Sequence, residues 1–159
     1  MQPKEFFEQC KAEMDRITAL YERRQAALLP LLNFAQEQCG HVSPEIEEGV
    51  AAYLGVPVVH VHEVVTFYTL LHRQPVGEHH FQVCDTLSCQ LLGCDEVVEH
   101  LKKKLGVEPG QRSADGRFSL AKVECLGACE LAPMMQLNED YVGHLTPAKL
   151  DEIIGKVGT

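Results

Sequence analysis

Four of the seven cysteines in this chain stand in two pairs in its second half. Cys84 and Cys89 form the first pair, with four residues between them, and Cys125 and Cys129 form the second, with three. Each pair follows a short run of residues typical of a β-strand. Four thiolates brought together from two loops are what an iron–sulfur cluster or a structural metal ion requires. The spacing therefore indicates a cysteine-ligated metal centre.

Zinc is the main chemical alternative to an iron–sulfur cluster at these cysteines. Structural zinc sites favour cysteines two residues apart in chains too small to form a core. Neither spacing here is two residues, and a chain of 159 residues can build its own core. The segment 126–128, Leu-Gly-Ala, also suits a cluster, because glycine and alanine let backbone amides approach sulfur closely. The spacing favours an iron–sulfur cluster over zinc.

A further cysteine in this region leaves the ligand set open at this point. Cys84, Cys89 and Cys94 stand with four residues between neighbours, so any two of them could join the later pair. Cys94 lies at the start of a predicted helix, where a lone thiol more often fills space as a small apolar group. Cys10 and Cys39, in the first half, are interpreted in the same way.

The remaining cysteine chemistries are disfavoured by number and pattern. Seven is an odd count, and the charged N-terminal segment lacks the features of a secretion signal, so a disulfide framework is not expected. The chain contains no C-x-x-C motif, which argues against disulfide exchange. We therefore expect a cytoplasmic protein with reduced thiols.

The first of two parts, residues 1–76, is predicted to be an all-helical bundle. Apolar residues recur at helical spacing over about 4–38, 44–54 and 57–71. Pro30 either starts or kinks a helix within the first of these stretches, because it removes a backbone donor. Ser43 is the expected N-cap of the second helix, and Gly40 and Gly55 are expected stops.

The second part, residues 77–159, has the pattern of an α/β domain with the cysteines at the ends of its first two strands. The predicted order is strand 80–84, helix 95–105, strand 118–123, hairpin 134–137 with 141–144, and a final helix from Thr146 to about 154. His79 and His80, at the junction of the two parts, are expected to be exposed. The whole chain is thus α+β, with the helical bundle first.

Charge and motifs exclude several classes of function. The formal net charge is −9, with six Lys/Arg against ten Asp/Glu in residues 1–75 and eight against thirteen in the remainder, so neither part offers a footprint for nucleic acid. No apolar run approaches the roughly 18 residues of a membrane helix, so direct membrane insertion is not expected. The glycine-rich motifs that bind dinucleotides or nucleotide phosphates are absent from the sequence. We therefore do not expect this chain to bind a dinucleotide or nucleotide cofactor by itself.

Longer segments around the cysteines resemble a known family. They are Val83–Gln90, Gly106–Gln111, Asp115–Phe118 and Glu124–Pro133, with Leu28–Leu32 and Glu63–Thr69 in the helical part. Through these segments the chain resembles the small, 24 kDa-type [2Fe-2S] subunit of the flavoprotein module of NADH:quinone oxidoreductase, respiratory complex I. The resemblance spans nearly the whole chain.

This resemblance implies a thioredoxin-like [2Fe-2S] ferredoxin domain behind the helical bundle. It implies that Cys84, Cys89, Cys125 and Cys129 hold a [2Fe-2S] cluster, and it leaves Cys94 outside the ligand set. The implied function is that of a one-electron carrier, with no complete active site on this chain. The helical bundle is then a docking element.

The implied partners are the flavoprotein subunit, which carries FMN and the NADH site, and the other subunits of the complex. Through them the chain would lie peripheral to the inner membrane. Related subunits also serve NAD-linked hydrogenases and formate dehydrogenases, which is the alternative interpretation of function. A more remote alternative is a zinc-stabilised interaction module without a redox role.

Overall fold

The computed structural model describes residues 1–158, and the chain divides into two compact units, Met1–Pro75 and a second that begins at Val76. The sequence placed the boundary at residues 76–77. None of the helices within residues 1–158 combines the length and the apolar character needed to cross a membrane.

The first unit contains five α-helices and a short 3-10 turn at Arg24–Ala27. The helices are α1 (Pro3–Gln9), α2 (Lys11–Thr18), α3 (Leu28–Cys39), α4 (Pro44–Leu54) and α5 (Val58–Phe67). Their inward faces bury a core that includes Phe6, Met14, Leu31, Leu32, Ile46, Val50 and Val61. Because apolar area removed from water stabilises folding by roughly 25 cal/mol per Å², this shared core holds the short helices together.

The helix boundaries of this unit follow the predicted signals, and the one difference concerns the cap of α4. Gly40 and Gly55 end α3 and α4 with φ of 81° and 70°, the left-handed conformation that glycine adopts without steric cost. The stretch predicted to be helical, about 4–38, contains three helices, and Pro30 lies in the first turn of α3, where a missing amide breaks no intrahelical bond. Ser43 occupies the N-cap position of α4, but its hydroxyl accepts no capping hydrogen bond.

The second unit is a five-stranded sheet in the order β2-β3-β1-β4-β5, with helices α6, α7 and α8. The strands are β1 (His79–Cys84), β2 (Gln111–Arg112), β3 (Phe118–Val123), β4 (Met135–Leu137) and β5 (Asp140–Val142). The helices are α6 (Leu87–Leu91), α7 (Cys94–Leu105) and α8 (Pro147–Val157). The central strand β1 runs parallel to β3 and antiparallel to β4. The α+β architecture predicted from the sequence is confirmed, whereas β2 and α6 were missed.

The core of this unit lies around the central strand. Phe81 and Val83 of β1 are buried together with Val97 and Leu101 of α7 and Leu150 of α8. The amphipathic pattern of α7 is thus explained by its packing against the sheet. Its last turn carries three lysines, whose positive charges interact favourably with the negative, C-terminal end of the helix dipole.

The expectation that His80 is exposed is wrong. Its side chain is buried, and its Nδ1 lies 2.7 Å from the hydroxyl oxygen of Ser119 on the neighbouring strand. The same oxygen accepts a hydrogen bond from the Gly77 amide at 2.8 Å. Because β1 is central and paired on both edges, even its polar residues are covered and must find partners inside the unit.

Candidate metal centre

The sheet brings the two cysteine-bearing loops to one of its ends. Cys84 is the last residue of β1 and stands opposite Val123, the last residue of β3. Because the two strands are parallel, the loops that follow them leave from the same end of the sheet. The Asp85 amide donates to the Val123 carbonyl at 2.9 Å and continues this pairing into the loop. Cys125 follows only two residues later.

Helix α6 places the second cysteine of the first pair. Cys89 lies on the inward side of this short helix and is as thoroughly buried as Cys84. Leu87 and Leu91, on either side of it, point to solvent. This short helix therefore presents leucine side chains to solvent on one face and holds a buried thiol on the opposite face.

The second pair lies in a tight surface turn. Cys125 and Cys129 are both exposed. Gly127, between them, has φ of 75°, and its amide donates to the Cys125 sulfur at 3.4 Å. The Tyr141 hydroxyl donates to the Leu126 carbonyl at 2.8 Å and ties the turn to β5. The turn thus aims a backbone N–H at sulfur, as thiolate ligands require.

Hydrogen bonds around Cys84 favour its thiolate. Burial raises its pKa, but donors at the Thr86 hydroxyl, the Leu126 amide and the Thr86 amide outweigh burial, so the net pKa is below that of an ordinary thiol. The Thr86 hydroxyl oxygen lies 3.3 Å from the sulfur. A thiol that forms its anion readily is suited to bind metal.

The pKa of the neighbouring Cys89 is shifted in the opposite direction, first of all because its side chain is buried. Burial raises its pKa, the Met134 amide opposes this, and the thiols of Cys84 and Cys129 raise it further. The thiols of Cys84 and Cys129 therefore act electrostatically on Cys89. Thiolates that repel one another in this way are stabilised when a cation binds between them. An all-thiol donor set with amides directed at sulfur fits a [2Fe-2S] cluster.

Cys94 has a different environment and a different partner. It is fully buried, and its thiol lies 3.4 Å from a carboxylate oxygen of Asp85, to which it donates. Burial, together with that hydrogen bond, raises its pKa to about 11. Lys122 bridges Asp85 and Asp95 at 2.8 and 3.2 Å. Although Asp85, Cys94 and Asp95 lie within 4.8 Å of one another, the lysine already neutralises the carboxylates, and the protonated thiol is a poor ligand.

The histidines of the first unit form no metal site with each other. His62 Nδ1 lies 2.8 Å from the buried carboxylate of Glu47, and Arg73 Nε lies 3.3 Å from the other oxygen. His60 is exposed near Glu63. His62 of α5 thus contacts Glu47 of α4, a pair that the sequence did not predict. The spacing of Glu47 within the apolar face of α4 was the available signal.

Comparison with known proteins identifies the class. A family model described as thioredoxin-like [2Fe-2S] ferredoxin matches residues 14–158, and the chain belongs to this family, whose cofactor is a [2Fe-2S] cluster.

The names of individual relatives are more specific than the description of the family. The chain is 44% identical over 144 residues to a subunit of the NADH-quinone oxidoreductase of Rhizobium meliloti, covering 91% of this chain and 86% of the relative. It is 40% identical over 152 residues to NADH-quinone oxidoreductase subunit 2 of Thermus thermophilus, covering 94% and 84%. The resemblance to the small subunit of this oxidoreductase, inferred from the sequence, is confirmed.

A solved structure shares the fold. The crystal structure of an NAD+-reducing [NiFe]-hydrogenase in the air-oxidized state matches with a TM-score of 0.71 and 22% identity, covering 82% of this chain. The match covers only 22% of that hydrogenase chain. At this identity the likeness concerns the fold alone.

Proposed function

We propose that this chain is a one-electron carrier subunit of an NADH:quinone oxidoreductase and exchanges electrons with the FMN of a partner flavoprotein subunit. The proposed ligands of its [2Fe-2S] cluster are Cys84, Cys89, Cys125 and Cys129. The observation that carries the proposal is the convergence of both cysteine loops at one end of the sheet, with amides directed at sulfur. When bound, the cluster supplies reversible one-electron chemistry.

The residues of the chain determine how readily an electron is accepted. The amides of Leu126, Thr86 and Met134 donate to the sulfurs of the buried pair and stabilise negative charge there. Acidic residues on both loops act in the opposite direction, because nearby negative charge disfavours an added electron. With a formal net charge of −9, we expect a low reduction potential.

The partner is inferred from what the chain lacks and from its relatives. No dinucleotide or nucleotide-phosphate motif stands in the sequence, and the relatives are named as subunits of an NADH-quinone oxidoreductase. FMN and NADH are therefore assigned to the flavoprotein subunit. The helical unit, residues 1–76, is assigned to docking on it, and the chain would lie on the cytoplasmic side, peripheral to the inner membrane through the complex.

The equivalent subunit of an NAD-linked hydrogenase or formate dehydrogenase is the second candidate. It is implied by the family resemblance, and the fold shared with a chain of an NAD+-reducing hydrogenase is compatible with it. Neighbouring genes discriminate between the two: membrane subunits argue for the quinone-linked complex, and a hydrogenase or formate dehydrogenase catalytic chain argues for the alternative.

The first experiment is to measure iron, zinc and acid-labile sulfide in anaerobically purified protein. About two iron and two sulfide per chain are expected for one all-cysteine [2Fe-2S] site. A result of one zinc per chain and no sulfide would contradict the electron-carrier function and would indicate a structural module instead. The second step mixes the loaded chain with flavoprotein subunit reduced by NADH, and bleaching of the visible absorbance reports electron transfer.

A further inference from the structure

Three exposed leucines surround one of the proposed ligands. Leu87, Leu91 and Leu92 are 70%, 77% and 58% exposed, whereas Cys89 between them is buried. Among the described residues of the second unit, Tyr141 is the one other large apolar side chain in this exposed class. Single exposed apolar residues are ordinary, but three within six positions mark a binding surface.

The geometry of α6 links these leucines to the metal centre. Leu87 and Leu91 are four residues apart in the helix and therefore lie on one face. Cys89 lies on the opposite, inward face. A protein that covers the leucines is separated from the Cys89 sulfur by a single helix, about 10 Å across. This surface is thus a short route between the cluster and a redox group outside the chain.

The two chain segments that carry the cysteine pairs contain acidic residues but neither lysine nor arginine. Residues 76–101 include five Asp or Glu and no Lys or Arg, and residues 123–148 include four and none. Lys122, between these segments, is engaged by Asp85 and Asp95. Both loops that carry the cysteines therefore present acidic groups without free basic ones. A complementary partner needs basic groups at its rim.

We propose that Leu87, Leu91 and Leu92, the leucine face, form a second contact with the flavin-bearing subunit, in addition to that of the helical unit, and hold the cluster end of the second unit against it during electron exchange. The matching surface of that subunit has an apolar centre and a rim of Lys or Arg. This inference rests on the proposed function and adds the surface through which it operates. The leucines supply contact area, and the acidic surroundings select and orient the partner.

The test compares two double variants of the full-length, cluster-loaded chain. Leu87→Gln with Leu91→Gln makes the face polar, whereas Leu87→Met with Leu91→Met keeps it apolar at similar size. Affinity for the purified flavin-bearing subunit and the rate of electron transfer from its NADH-reduced form are measured for each. We expect at least about tenfold weaker binding for the glutamine pair and wild-type behaviour for the methionine pair. Iron and sulfide content should be unchanged in both, because the side chains are exposed.

Salt tests the acidic surroundings separately. Raising ionic strength from about 0.05 M to about 0.5 M should weaken wild-type binding, because salt screens the attraction between acidic groups on this chain and basic groups on the partner. Binding that strengthens or stays constant with salt would contradict a basic rim.

The possible failures are distinguishable. If the wild-type chain holds its cluster but accepts no electrons from the reduced flavin-bearing subunit, the proposed function fails. If the wild-type chain accepts electrons but the glutamine variant binds as tightly as the methionine variant, only the proposed docking role of the leucine face is refuted. If light scattering shows wild-type self-association that only the glutamine pair abolishes, the face binds a second copy of the chain instead.

Discussion

Two buried cysteines of the second unit, Cys84 and Cys94, have opposite local environments. Cys84 is surrounded by donors that favour its thiolate, whereas Cys94 faces the carboxylate of Asp85 and stays protonated. Their burial is similar. Hydrogen-bond polarity, rather than access to solvent, therefore distinguishes a proposed ligand from a structural thiol.

This contrast predicts different results for the same substitution. Cys84→Ser should lose the native [2Fe-2S] signal, because a hydroxyl replaces a thiolate ligand. Cys94→Ser should keep about two iron and two sulfide per chain, since serine preserves a donor to Asp85. Iron and sulfide assays with electron paramagnetic resonance of the reduced protein measure both. Loss of the cluster in Cys94→Ser alone would reverse the assignment.

Lys122 is predicted to influence the reduction potential. It holds Asp85, the residue after Cys84, through a 2.8 Å ion pair. Lys122→Met removes a positive charge, disfavours the added electron and should shift the potential to more negative values; Asp85→Asn should shift it to more positive values. Stability should change by no more than about 1 kcal/mol, as for other surface ion pairs.

Redox titration followed by electron paramagnetic resonance measures these shifts. Lys122→Arg, which keeps the charge, is the matched control and should retain the wild-type potential. Equal potentials for Lys122→Met and Lys122→Arg would show that the pair has no electrostatic effect on the cluster.

At the scale of elements, the segment after α5 is fixed by side chains of α3 and α4. Gln36 donates to the Leu70 carbonyl at 2.7 Å and accepts from the His72 amide at 2.6 Å. Glu47 pairs with Arg73. Polar contacts therefore replace regular secondary structure in a stretch that leads to the boundary between the units.

Removing the Gln36 contacts should destabilise the helical unit. Gln36→Leu abolishes two hydrogen bonds of roughly 0.5–1.5 kcal/mol each, so we expect a loss of about 1–3 kcal/mol in the free energy of unfolding. Urea denaturation measures the loss, and faster hydrogen exchange at the His72 amide locates it. Gln38→Leu, an exposed position on the same helix, is the control, and equal midpoints for the two variants would contradict the prediction.

The same segment should respond to acid. Burial lowers the pKa of His72 below its ordinary value of 6.5, so the unfolded state binds the proton more readily than the folded state. The contribution of His72 to stability is therefore present above about pH 6.5 and is lost as pH falls through the lower folded value. A titration of the imidazole by nuclear magnetic resonance should give a pKa below that of a histidine peptide. A value at or above 6.5 would contradict this.

Some elements could be predicted from the sequence because their signals are local. Gly40, Gly55 and the Thr146–Pro147 start mark helix ends through backbone conformation and capping. Helix α6 was missed because five residues are too short for a periodic pattern. The burial of His80 was missed because it depends on β1 being central, which is set by pairing with strands far along the chain.

The candidate site shows the same division between local and distant information. The cysteine spacing predicted a metal centre, and the family resemblance supplied its four proposed ligands. The Asp85–Lys122 pair and the Glu47–His62 pair were not predictable, because each joins side chains that only the folded chain brings together.

For the whole molecule, the two units have separate cores and separate proposed tasks. The buried residues of the second unit, among them Phe81, Leu101 and Leu150, all lie beyond Val76. A chain that begins at Val76 should therefore fold and hold about two iron and two sulfide. It should bind the flavoprotein subunit much more weakly than the full chain, because the proposed helical docking element is missing and only the leucine face remains.

Co-expression followed by affinity purification of the partner measures assembly of this truncated chain. Deletion of residues 1–75 that still yields the complete complex would refute a docking role for the helical unit. A colourless, unfolded truncation product would instead refute the independence of the second unit.

The position of β1 in the sheet has a consequence for biosynthesis. Both neighbours of this strand, β3 and β4, are translated after it, and Cys129 emerges from the ribosome later still than β3. The helical unit, whose core is complete by Leu71, leaves the ribosome first and can fold while the remainder is being made. Because Cys129 is a proposed ligand, we expect cluster insertion to be a late maturation step, which follows the release of Cys129 from the ribosome and acts on a chain whose amino-terminal half can already have folded.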